Sequence, residues 1–184
     1  MVGINNCYTP SPENEETRLQ ALHALNILDT PLDLRFECIT QFAALNLEVP
    51  ICLVILIDAN RQWFKSAWGV EASEMPRDIS ICAHAICDVT SHRAMDRIYE
   101  ITDTKEDSRF FDHPLVQGEP WVRSYISNVL QSEAGLNIGT LCLVDTRPRR
   151  FDEDEKNLVI ELGSMAENLI HRRHVRAGME HLLH

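Results

Sequence analysis

Apolar residues recur at helical spacing near the start of the chain and again near its end, and apolar runs of strand length lie between them. Ser11-Pro12-Glu13 offers a capping hydroxyl, a proline at the first helical position and an early negative charge, which together predict a helix over 11–28. Thr30-Pro31 ends it and opens a second helix, in which Phe36, Ile39, Ala43 and Leu47 form a buried stripe. VPICLVILID is apolar throughout and rich in β-branched residues, so it predicts a central strand covered on both faces. Asp58-Ala59-Asn60 supplies a turn, and RQWFKSAWG returns as the second strand of a hairpin. Further strands are predicted at 98–102, 122–130 and 136–145, the last two separated by QSEAG. From Asp152 an acidic helix start precedes Leu158, Val159, Leu162, Met165, Ala166, Leu169 and Ile170, which fill one face of a helix running to about 176.

Helices before and after an antiparallel, hairpin-built sheet give a mixed α/β (α+β) domain with covered faces. A chain of 184 residues fits one such domain over 11–172, with a mobile polar lead at 1–10 and a helical extension or linker at 173–184. The long irregular segment 103–119 is of the kind that carries function in compact domains.

Charge narrows the partners. The balance of 28 acidic against 17 basic side chains leaves −11, which opposes a phosphate backbone, so no nucleic acid is expected. The longest apolar run, 51–57, is too short to span a bilayer, and MVGINNCYTPSP lacks the pattern of a signal peptide. A cytoplasmic protein without membrane insertion is expected. Its cysteines, at 7, 38, 52, 82, 87 and 142, should then be free thiols.

Hydrolase signatures, P-loops, dinucleotide loops and HExxH are absent, which directs attention to PRDISICAHAICD, residues 76–88. As a metal site it is poor. Cys82 and His84 point to nearly opposite sides of a helix, and although His84, Cys87 and Asp88 share a face, no second ligand pair accompanies them. As a reactive thiol it has one candidate. Ser80 as N-cap places Cys82 in the first turn, where free N–H groups and the helix dipole favour thiolate and Arg77 could add to the field. Burial in apolar company would act the other way. A third reading is a binding pocket, with Trp63, Phe64, Phe110, Phe111, Trp121 and Tyr125 near Lys65, Arg77, Asp103 and Arg109. Composition alone does not choose between that pocket and an ordinary aromatic core.

The ordered series RLQALHALNILDTPLD, ITQFAA, VPICLVILID, RQWFKSAWGV, PRDISICAHAI, ITDTKEDSRFFDHPLVQGEP and IGTLCLVDTRPRRF resembles the GAF domains at the N-termini of bacterial sensor histidine kinases and diguanylate cyclases. The resemblance covers about 15–170. It implies a central antiparallel sheet of five to six strands, with 51–57 and 138–144 adjacent at its centre. The terminal helices would pack together on one face and loops would enclose a ligand cavity on the other. It places Trp63, Phe64, Arg77, Cys82, His84, Asp103, Arg109, Phe110 and Tyr125 at the family's recurrent positions, as candidates to line that cavity and with no catalytic role. Cys82 is the redox candidate. Similar domains bind cyclic nucleotides, haem, bilins or other small molecules, so an unknown small-molecule ligand is implied and no cofactor is named. In YISNVL, Ile126 and Ser127 replace smaller residues and would narrow the cavity.

The implied function is regulatory: a non-catalytic sensor, homodimeric through its terminal helices, acting on an output kinase or cyclase in cis or in trans. The alternatives are an enzyme resembling free methionine sulfoxide reductases, with Cys82 and Cys87 as nucleophile and resolving thiol, or a ligand-free dimerisation module. Five residues separate those cysteines, about 140° around a helix, so pairing them requires the helix to unwind.

Overall fold

The computed structural model describes residues 10–182, with side chains described through Arg172. Of the predicted mobile lead, all but Pro10 lies outside the described residues, as do the side chains of the predicted extension at 173–184. Among the described residues five α-helices, α1 (Glu15–Ala24), α2 (Leu34–Asn46), α3 (Ile81–Asp88), α4 (Pro114–Gln117) and α5 (Glu153–Leu182), frame six strands. The strands are β1 (Ile51–Ile57), β2 (Arg61–Trp68), β3 (Glu74–Pro76), β4 (Ile98–Ile101), β5 (Ser124–Gln131) and β6 (Asn137–Asp145). They form one sheet in the order β3-β2-β1-β6-β5-β4, antiparallel throughout, with β1 and β6 central as the resemblance implied.

Both helix starts differ from expectation, for reasons of competing partners. Ser11 does not cap a helix: its hydroxyl accepts from the Arg77 guanidinium, and α1 begins four residues later. Thr30 donates to the Ile27 carbonyl and the Pro31 carbonyl accepts from Lys65, so α2 starts at Leu34 under an Asp33 cap. The chain leaves α1 through Asn26 and Asp29, both at positive φ, a conformation these two residue types tolerate. Ser80 caps α3 as expected, accepting from the Ala83 N–H at 3.1 Å while donating to Gln62 at 2.9 Å.

Period-2 alternation divides the central strands between two cores. Cys52, Val54 and Leu56 of β1, Leu141 and Leu143 of β6, and Ile126 and Leu130 of β5 face the helices, meeting Leu22, Phe36, Ile39, Val159, Leu162 and Ala166. Each fully buried side chain there, such as Phe36 or Leu141, contributes about 2–3 kcal/mol of transfer free energy. Ile51, Leu53, Ile55, Tyr125, Val129, Cys142 and Val144 face the opposite way, beneath α3. The helical face is carried by α2 and α5 packed on each other, with α1 against β6. Ile126 is therefore on the helical face, where it cannot narrow a cavity on the other.

Candidate functional site

Between α3, the segment after α4 and the cavity face of the sheet lies a void of about 260 Å³. Its floor is Ile51, Leu53, Ile55, Phe64, Tyr125, Cys142 and Val144; Ile81 and Cys82 roof it, and Leu115, Glu119 and Pro120 stand on the side of the irregular segment. The volume lies just below the range of roughly 300–1,000 Å³ usual for ligand pockets. Its lining is almost wholly apolar, with Gln62 and exposed Glu119 as its conspicuously polar members, and no basic residue lines it among the described residues.

Cys82 is the chemical centre of this void. Its Sγ accepts from the Tyr125 hydroxyl at 3.1 Å, and Tyr125 meets Tyr99 edge to face with ring centroids 6.2 Å apart. Burial alone would push the Cys82 thiol up. The neighbouring Cys142 and Thr140 side chains, the Tyr125 hydroxyl and its own backbone outweigh that and hold it below the ordinary cysteine value. The two neighbours move oppositely: burial and the neighbouring thiols raise Tyr125, and the adjacent Cys82 sulfur and burial raise Cys142. Placement in the first turn of α3 favours the same thiolate.

Of the nine expected lining residues, Phe64, Cys82 and Tyr125 meet at the void; the other six do not. Trp63 is on the helical face, with Lys65 5.8 Å above its ring, because it pairs with Leu56 of that face while the next residue, Phe64, pairs with Ile55 of the other. Arg77 turns from α3 toward α1, binding Glu15, the Asp58 carbonyl at 3.0 Å and Ser11 at 3.3 Å; it clips the chain start to the β1–β2 turn. Asp103 pairs with Arg123 at 2.8 Å. Arg109 spans Asp107, Asp88 and the Tyr99 hydroxyl and stacks on Phe110, which is fully buried in the same core without reaching the void. His84 packs edge to face on Phe110 at 4.9 Å, and burial lowers its pKa. The Cys-Ala-His triplet is thus split, Cys82 facing the void and His84 the Arg109 cluster.

Cys87 lines a separate groove with Ser11, Asn14 and Asn137, and burial pushes its thiol up to about 11. Helical spacing keeps it from Cys82, as the angle between them requires. Cys142 is the residue that sequence reasoning did not single out, naming it only among the free thiols. Its register opposite Leu53 and Ser127 puts it on the cavity face.

A GAF domain profile matches residues 31–170. The chain belongs to the GAF family. Over 140 residues it is 37% identical to a cyclic di-GMP phosphodiesterase of Pseudomonas aeruginosa, a match that covers 76% of this chain but 23% of that protein. The chain therefore spans under a quarter of that relative's length. Among solved structures, the GAF domain of an Acinetobacter phosphoenolpyruvate-protein phosphotransferase superposes with a TM-score of 0.61 at 15% identity, covering 90% of this chain and 97% of that one. A free methionine-R-sulfoxide reductase from Neisseria meningitidis, solved with its substrate, gives 0.56 at 17% identity, covering 92% and 97%. At those identities the likeness is one of fold, and it confirms the six-stranded GAF architecture with helices on one face.

Proposed function

We propose that this GAF domain is a non-catalytic sensor whose cavity takes a small, uncharged, mainly apolar molecule and whose α5 carries the response to a cyclic di-GMP output domain in cis or in trans. The observation that carries this reading is the apolar void under α3, one sheet thickness from α5. Tyr125 and Cys142 line it, while Ile126 and Leu143, the next residues on the same strands, pack against the helical layer. A ligand that shifts β5 or β6 thereby acts on both layers, and it biases the output by its differential affinity for two packings of α5. Cyclic nucleotides fit poorly, because their phosphate would meet Glu119 at the rim and no cation in the lining.

Native mass spectrometry of protein purified from its host, followed by thermal-shift titration with small apolar compounds, tests the proposal. A compound at a hundred times its Kd should stabilise the domain by about 2.7 kcal/mol. Val144→Phe, which fills the void from its floor, should remove that stabilisation while leaving the fold intact. Stabilisation by cyclic nucleotides and by no apolar compound would sink the reading.

The helical face supports a homodimer. Phe42 and Met165 are half exposed beside a groove between α2 and α5 of about 620 Å³, which Ile39, Leu162 and Leu169 also line. Burying that face against a second copy extends the helical core, so Phe42→Glu combined with Met165→Glu should convert a dimer to a monomer with little change in secondary structure. Light scattering and circular dichroism check this; a wild type that remains monomeric at high concentration would count against it. No helix among the described residues is long and apolar enough to cross a membrane.

A further inference from the structure

We propose that Cys82 and Cys142 form a dithiol that small apolar organic hydroperoxides oxidise to a disulfide within the cavity. Both thiols line the same apolar void, Cys82 from α3 and Cys142 from β6, the strand on which α3 chiefly packs. The Tyr125 hydroxyl, 3.1 Å from Cys82 Sγ, supplies a donor beside the sulfur. The remaining described cysteines are elsewhere: Cys38 is exposed on α2, Cys52 points into the helical core and Cys87 lines another groove.

The chemistry closes with the hydroperoxide as the sole oxidant. Cys82 thiolate attacks the terminal oxygen of ROOH; the O–O bond breaks, and RO⁻ takes up the proton released by the thiol, leaving Cys82 sulfenic acid and ROH. The Cys142 sulfur then attacks Cys82 Sγ; the S–O bond breaks, water leaves with the Cys142 proton, and a disulfide remains. Two thiols and ROOH give one disulfide, ROH and water, a two-electron change. Roles follow from position. Cys82 sits in the first turn of α3 with donors around it, so it is the attacking sulfur, whereas Cys142, inside a central strand, has no helix terminus to favour its thiolate and resolves the intermediate. The apolar lining selects the oxidant class, since a hydrocarbon R group gains by leaving water and hydrogen peroxide has none.

Joining the two sulfurs in a covalent bond draws the first turn of α3 onto β6, at the expense of the void. The inference goes beyond the ligand-sensing proposal, and its test uses protein with no added ligand, so either can fail without the other.

The full chain carrying Cys7→Ser, Cys38→Ser and Cys87→Ser would be treated with cumene hydroperoxide or hydrogen peroxide, alkylated under denaturing conditions and peptide-mapped. The expected product is a Cys82–Cys142 disulfide, formed at least about tenfold faster with cumene hydroperoxide. Cys142→Ser should stop at a sulfenic acid on Cys82 trapped by dimedone, and Cys82→Ser should leave Cys142 alkylatable. Should either variant fail to fold, as judged by circular dichroism, the wild-type peptide map decides alone. The proposal is overturned if both thiols remain alkylatable after either oxidant, if Cys82 overoxidises without joining Cys142, or if hydrogen peroxide acts as fast as cumene hydroperoxide.

Discussion

Replacing Glu15 with alanine should destabilise the domain by about 3–5 kcal/mol, because it strands two buried guanidinium groups at once. Arg18 is fully buried and grips the Glu15 carboxylate with two nitrogens, each at 2.8 Å, while its third reaches the Ile57 carbonyl at 2.7 Å. Arg77, 8% exposed, shares the same carboxylate. Without Glu15, Arg18 keeps the Ile57 carbonyl and Arg77 keeps Asp58 and Ser11 as hydrogen-bond acceptors, all of them neutral. For a domain of this size the loss corresponds to a midpoint lower by roughly 6–20 °C. Glu16→Ala, one position along on the exposed side of α1, should change stability by less than about 0.5 kcal/mol. Chemical denaturation of the two variants checks this, and a Glu15→Ala loss under about 1 kcal/mol would show that the clip is dispensable.

The same contact sets an acid limb. Burial pushes the Glu15 carboxyl up, but its bonds to Arg18 and Arg77 outweigh that and bring it from the usual 4.5 down to about 2. A carboxyl depressed in the folded state binds fewer protons there than when unfolded, so its contribution is complete above about pH 5.5 and fades as pH falls through 4.5 toward 2. Allowing for its partial exposure, that contribution is about 1–2 kcal/mol. The stability gap between wild type and Glu15→Ala should narrow over this window; a gap constant from pH 7 to pH 3 would contradict the assignment.

Arg18 and Arg77 also mark where sequence reading stops. Strand positions were legible because continuous apolar, β-branched runs such as Ile51–Ile57 have one stable placement, inside a sheet covered on both faces. The Ser80 cap was legible because it is a local contact over three residues. The Ser11 and Thr30 caps failed, since their hydroxyls are claimed by Arg77 and Ile27. Long-range partners are invisible to local rules. The same holds for the site: Arg77 bears a charge and precedes α3, yet it answers to Glu15, 62 residues away. Trp63 and Phe64 looked equivalent, and as neighbours in one strand they point to opposite faces of the sheet. Cys142 needed only the cross-strand register with Leu53 and Ser127, which no single segment contains.

Gly163→Ala should destabilise the domain by roughly 1–3 kcal/mol although alanine is the better helix former. In the interior of a helix that substitution gains about 1 kcal/mol. At this position a Cβ would stand 2.4 Å from Asn128 Oδ1 and 2.9 Å from its Cβ and Cγ, closer than packed atoms approach. Asn128 is fully buried and tied by its amide to the Ala94 carbonyl at 3.1 Å, so it yields only by breaking that bond or by lifting α5 from β5. Overpacking of this kind outweighs the propensity gain. Asn128→Ala in the same chain removes the obstruction, and the double variant should recover about 1–2 kcal/mol relative to the sum of the single changes. Stabilisation by Gly163→Ala alone, or strict additivity with Asn128→Ala, would show that α5 is free to move outward. The contact bears on signalling because the strand neighbours of Asn128, Ser127 and Val129, lie on the cavity face of β5. A helix held this closely to β5 cannot ignore a displacement of that strand, so the proposed sensing route from the cavity to α5 runs through the Gly163–Asn128 contact.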